Sequence, residues 1–168
     1  MGDNTAMNPP AAASLVPPVD GRQSERALAI ARGVTRLFAA MDIAVVPELP
    51  LPSGRRADLT ALSRTGALWI VEIKSSVEDF RADRKWNDYR AHADRVFFAV
   101  APDFPVDILP EDAGLILADA HGAEIVREGP SQALPGPTRK VMMLRFARAA
   151  AGRMTLLCDP QALGLSDL

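Results

Sequence analysis

Three kinds of apolar pattern follow one another along this chain, and each predicts a different element. After Ser24, a good N-cap, the positions Ala27, Ile30, Ala31, Val34, Phe38 and Met41 recur at helical spacing and predict a helix over about Glu25 to Met41. Ile43 to Leu49 then reads as a short apolar strand, broken by Pro47 and closed by the Leu-Pro-Leu-Pro-Ser-Gly turn that ends at Gly54. Arg56 to Leu62 and Leu68 to Lys74 read as two strands joined by the polar loop Ser63 to Ala67, which makes them an antiparallel hairpin.

Ser76 and Asp79 stand at capping-box spacing and open a predicted second helix that reaches roughly His92 and carries Phe80, Trp86 and Tyr89. Arg95 to Val100 is a compact strand-type run, and strand, helix, strand in that order implies a right-handed crossover onto the same sheet. Gly114 to Ala118 and Ala123 to Arg127 flank the His121-Gly122 turn as two short strands. A Pro- and Gly-rich linker from Gly129 to Pro137 leads to a last helix, about Thr138 to Ala151, with Val141, Leu144 and Ala147 as its apolar stripe. The fold class is therefore α/β, and no internal repeat is visible.

Composition narrows the class. A chain of 168 residues, 48% of them hydrophobic, supports one domain with a real core, here residues 21–168. Met1 to Asp20, with Pro9, Pro10, Pro17 and Pro18, reads as a disordered leader. It lacks the basic and apolar regions of a secretory signal, and no run approaches a membrane span. A single cysteine, Cys158, excludes an internal disulfide or a thiolate metal cluster and fits a reducing cytoplasm. A net charge of -2 argues against a protein that coats nucleic acid over its whole surface, yet Arg139, Lys140, Arg145, Arg148 and Arg153 form an acid-free basic stretch. His92 and His121 are isolated and fall in no ligand spacing.

Register counting carries the chemistry. With Ser63 to Ala67 as the loop, Leu62 faces Leu68, Thr60 faces Ile70 and Asp58 faces Glu72. Opposed side chains in such a ladder have β-carbons about 4.5 to 5.5 Å apart, so two carboxylates stand side by side, an arrangement that a cation would relieve. Magnesium suits it, since it binds oxygen and typically uses one or two carboxylates together with substrate phosphate. Lys74, two residues after Glu72, points to the same face, while Trp69, Val71 and Ile73 form an apolar face that should pack on helices. A metal lowers the pKa of water and acts as a Lewis acid, and a lysine adds positive charge where phosphorus becomes more anionic. Asp, Glu and Lys are thus a minimal set for phosphodiester hydrolysis. Glu-x-Lys alone is a weak signal, because such a pair on a strand is ordinarily a solvated ion pair.

Taken together, Ala57-Asp58 and Glu72-Ile73-Lys74, set in the order helix, three strands, helix, strand, resemble the PD-(D/E)XK nuclease superfamily, with Ala57 replacing the signature proline. More narrowly, the runs Gly54 to Asp58, Ile70 to Ser76, Asp83 to Tyr89 and Asp94 to Val100, continuing into Gly114 to Asp119 and the Arg-rich helix, are similar to the MmcB family of bacterial DNA-repair proteins. The resemblance implies a restriction-endonuclease-like αβββαβ core with a mixed central sheet flanked by helices, plus two extra short strands and a C-terminal helix. It implies an endonuclease hydrolysing DNA with Mg²⁺ or Mn²⁺, through Asp58, Glu72 and Lys74, in a cytoplasmic, nucleoid-associated bacterial protein. Damaged or branched DNA is the implied partner, with room for a homodimer.

Superfamily members often add a helix-one acid to the metal site. Glu25 is the positional candidate, although it lies nearly opposite the apolar stripe, and Glu48 is the other. Arg55 and Arg56 at the cleft mouth, with Lys85 and Tyr89 at i,i+4 on the second helix, are the candidate DNA contacts. Each has a plain alternative: pairing with nearby acids for the arginines, and solvation for Lys85, with Trp86 and Phe80 in the core. The rival function is a catalytically silent module of the same fold that binds DNA or a repair partner.

Overall fold

The computed structural model describes residues 24–83 and 86–162. The predicted leader, Met1 to Asp20, and Lys85 lie outside them.

A helix α1 (Glu25–Ala40) precedes three strands, β1 (Ala44–Pro50), β2 (Arg56–Leu62) and β3 (Leu68–Lys74). A short helix α2 (Val77–Ala82) and a 3₁₀ turn (Trp86–Ala91) lead into β4 (Arg95–Val100). Then come β5 (Gly114–Ala118), β6 (Ala123–Arg127) and a long helix α3 (Gly136–Cys158). The six strands form one mixed sheet in sequence order. β1, β2 and β3 pair antiparallel, β3, β4 and β5 pair parallel, and β6 returns antiparallel. This is the α/β architecture expected from the pattern, with helices on both faces.

Alternation along the strands sorts the core into two sides. Trp69, Val71 and Ile73 face α1 and join Ile30, Val34, Phe38, Leu59, Phe97 and Ile116. Leu68 and Ile70 face the other way, against Met142, Phe146 and Ala149 of α3. Further along that side, Phe98 is covered by Phe80 and Trp86, with ring centroids 5.6 and 5.3 Å away. Gly33 of α1 sits so close to the β5–β6 turn that a β-carbon there would stand 2.3 Å from the carbonyl oxygens of Asp119 and Gly122. Only glycine lets the helix approach so closely.

Two expectations need correction. The second helix does not run to His92: it stops at Ala82, where Asp83 takes an extended backbone (ψ 94°) and its carboxylate meets Lys74. A buried ammonium in need of a counter-charge outweighs continued helix propensity. The last helix runs to Cys158 and buries Met142, Phe146 and Ala149, while Val141, Leu144 and Ala147 are exposed. Arg139 ties the helix to the sheet in that rotation. Its guanidinium grips the Asp94 carboxylate through two bonds (2.8 and 2.6 Å) and also donates to the Gly66 carbonyl at 2.7 Å. Asp94, 6% exposed, accepts as well from the Leu68 and Leu134 amides, so one buried acid ties β3, β4 and the approach to α3 together.

Candidate active site

The β2–β3 ladder runs from Leu62 opposite Leu68 to Leu59 opposite Val71, so Asp58 and Glu72 are the next positions in register. There the backbone ladder gives way to a side chain: Asp58 Oδ2 accepts the Ile73 amide at 2.8 Å. That bond orients one carboxylate oxygen of Asp58. Glu72 continues the α3-facing series of Leu68 and Ile70, at a point where the apolar cover ends, and it is only 7% exposed.

Lys74 is 3% exposed and its Nζ lies 3.2 Å from Glu72 Oε1 and 2.7 Å from Asp83 Oδ2. Burial alone would lower its pKa, but Glu72 and then Asp83 more than offset that, and the ammonium is held above its ordinary value. The carboxylates move the same way for the opposite reason. Burial, reinforced by Asp58, pushes Glu72 up to about 8. Burial also pushes Asp58 up to about 6, against the Ile73 amide and with help from Glu48. Asp58, Glu72, Ile73, Lys74, Ser75 and Asp79 open with Ser24 and Ala27 onto a cleft of about 250 Å³ at the carboxyl end of β3. Asp79, read from sequence as a cap, accepts from the Ser75 amide at 3.1 Å and adds its charge to this rim.

The other candidate residues divide. Glu48 lies on β1 between the pairs Pro47–Leu59 and Leu49–Ala57 and so beside Asp58 of β2, buried, with its backbone in the left-handed region (φ 50°). A non-glycine residue held so within a strand costs on the order of 1–3 kcal/mol and aims its side chain where a regular strand would not. Its carboxylate pairs with Arg56. Glu25, by contrast, is exposed in the first turn of α1 and does not line the cleft. Arg55 bonds Asp88 at 2.9 Å, so both arginines are engaged by acids. Tyr89 is buried, with its hydroxyl 3.4 Å from the Arg56 carbonyl, and burial together with Glu72 raises its pKa. Sequence reasoning assigned no role to Asp83, because the pattern placed it on a continuous helix surface.

The donor set suits a hard divalent cation to a definite extent. Glu72 Oε2 is buried with no hydrogen-bond partner among the described residues, and two adjacent carboxylates are each held toward protonation. No three of His, Cys, Asp and Glu among the described residues converge as a ready cage. A two-carboxylate site completed by water and phosphate is the kind magnesium uses.

Comparison with known proteins follows the same lines. Residues 15–161 match the family described as DNA repair protein MmcB-like. The SPO1766 protein of unknown function from Silicibacter pomeroyi has a similar structure, with a TM-score of 0.80 and 41% identity over 83% of this chain and 96% of that one. No curated protein matches. No helix among the described residues is long and apolar enough to cross a membrane. With 147 consecutive residues matched to the family, the chain belongs to the MmcB-like family of DNA repair proteins.

Proposed function

We propose that this DNA-repair-family protein is a metal-dependent endonuclease that hydrolyses DNA phosphodiesters at the cleft of Asp58, Glu72 and Lys74. The observation that carries the reading is the buried, hydrogen-bond-deficient Glu72 Oε2 beside Asp58, open to a cleft and two residues from a buried lysine. Such a cluster is destabilising unless something of opposite charge occupies the cleft.

Asp58 and Glu72 would hold Mg²⁺ or Mn²⁺, which when bound supplies Lewis acidity and a more acidic water. Asp58 is fixed by the Ile73 amide, so one of its oxygens is committed to the fold and the other is left for the ion. Lys74 stays cationic and would offset charge that develops on the phosphoryl oxygens. Arg55 and Arg56 would exchange Asp88 and Glu48 for phosphate as DNA enters, since a guanidinium pairs with either partner. Glu48, beside Asp58, is the better placed of the two candidate third acids. The cleft and hairpin are also in keeping with membership of the PD-(D/E)XK superfamily.

A second reading draws on one observation. Lys74 is engaged by both Glu72 and Asp83 and is almost fully enclosed, which suits a module that binds DNA or a partner without cutting. The test uses purified protein with flap, gapped, single-stranded and branched DNA plus Mg²⁺ or Mn²⁺, alongside Glu72→Ala and Lys74→Ala. Cleavage lost in both variants supports the nuclease. Binding that survives both substitutions with no substrate cut supports the silent module.

A further inference from the structure

α3 exposes an apolar face that the rest of the described chain does not cover. Met143, Leu144, Met154 and Leu157 are 39%, 54%, 63% and 85% exposed, and Ala147, Ala150, Ala151 and Cys158 lie exposed among them. At 100° per residue these eight side chains share one side of the helix. The opposite side is occupied: Met142, Phe146 and Ala149 enter the core, while Arg145 and Arg153 donate to the Pro50 and Glu48 carbonyls at 3.1 and 3.5 Å. Between Lys140 and Asp159 the exposed face carries no charge, and Arg148 only borders it.

The face is symmetric about the point between Ala150 and Ala151. Reflected through it, Leu144 falls on Leu157, Ala147 on Met154, Met143 on Cys158 and Ala150 on Ala151. Large residues lie at both ends and alanines at the middle, so two antiparallel copies could approach closely at the centre and interlock outside it. The same operation carries Lys140 to the chain just past the helix end, where Asp159 is exposed. Of the basic residues of α3, Arg139 is paired with Asp94, and Arg145 and Arg153 reach the Pro50 and Glu48 carbonyls away from this face, which leaves Lys140 at its end and Arg148 at its border.

From this self-complementarity we infer that α3 is a homodimer interface, in which a second copy of the chain packs antiparallel along Met143 to Cys158. The strip is roughly 24 Å long and ~10 Å wide, a footprint on the order of 240 Å² per protomer. Standard stable interfaces bury about 800 Å² per partner, so the dimer falls in the weak, reversible class.

Sedimentation equilibrium of the full chain, from about 5 to 500 µM under reducing conditions, tests this across the range where weak interfaces associate. The weight-average mass should climb from one chain toward two. Ala151→Arg, at an exposed position of unchanged helix character, should hold the mass at one chain with unaltered circular dichroism and melting temperature. Met143→Cys fixes the direction: mild oxidation should then link it to Cys158 of the other copy, whereas the native chain should not cross-link. A mass of one chain at every concentration overturns the inference. So does a dimer that survives Ala151→Arg, or a native cross-link between two Cys158 residues, which would mean parallel helices. Self-association that appears only after residues 1–23 are removed would assign the face to that segment instead, and likewise overturns it.

Discussion

Replacing Glu72 with Gln should remove a pH dependence that the folded protein carries because of one side chain. Burial first, and Asp58 second, carry the Glu72 carboxyl from 4.5 to about 8. A folded-state value above the unfolded one means that the native state holds the proton more tightly. Stability from this group is therefore complete below the unfolded pKa and is lost as pH rises through the folded one. The full difference corresponds to roughly 4–5 kcal/mol, and the part accumulated by pH 7 is on the order of 3 kcal/mol. Gln keeps the shape and a carbonyl for Lys74, which retains Asp83 at 2.7 Å, but it has no proton to lose. Differential scanning calorimetry without divalent ions, from about pH 6.5 to 8 and so above the value to which burial raises Asp58, should show the wild-type melting temperature falling while Glu72→Gln stays nearly flat. At the upper end, where roughly 4 kcal/mol has accumulated, the variant should melt about 8–16 °C higher for a chain of this size. If the cleft holds the ion as proposed, added Mg²⁺ should raise the wild type more at pH 8 than at pH 6, since ion and proton would compete for the same oxygens, and should leave Glu72→Gln unchanged. Parallel pH curves for the two proteins would refute the placement of Glu72 as a buried, charge-stressed carboxylate.

Further outcomes follow from other contacts. Asp94→Ala strands the Leu68 and Leu134 amides and Arg139, and should cost about 3–5 kcal/mol in urea denaturation. Asp94 titrates below the usual carboxylate range, because its hydrogen bonds to Arg139 and the two amides outweigh burial, so its contribution is present above the unfolded pKa and lost as pH falls below about 4. Gly33→Ala drives a β-carbon into two backbone oxygens and should destabilise by roughly 1–3 kcal/mol or more, read as a lower denaturation midpoint with an unchanged slope. Asp83→Ala should leave Lys74 with Glu72 alone; if the cleft cuts DNA, the cleavage rate should change at least severalfold while the melting temperature moves less than in Asp94→Ala.

Much of this protein is written in local pattern. β2, β3, β4, β5 and β6 occupy the stretches that alternation and apolar runs mark out, and α1 follows its Ser24 cap, whose side chain accepts from the Ala27 amide. The placement of Asp58 beside Glu72 needed only a period of two and a loop length, because a hairpin transmits register without reference to the rest of the chain. Lys74 on the same face followed from the same arithmetic.

What depended on contacts between distant residues was not legible. The break after Ala82 exists because Asp83 reaches Lys74, nine positions earlier and on another element. The left-handed backbone of Glu48 is a property of β1 laid against β2, and no propensity at that position announces it. α3 illustrates the limit best. Its sequence offers apolar residues on more than one side, so Val141, Leu144 and Ala147 make as good a stripe as Met142, Phe146 and Ala149. The stripe that meets the sheet is the one whose helix also lets Arg139 make a bidentate bond to the buried Asp94. Sequence alone determined the elements and the opposed carboxylates, because these arise from short-range geometry. Tertiary structure decided which helix face is buried, where the second helix ends and which charges meet, because a buried charge must find its partner wherever in the chain that partner lies.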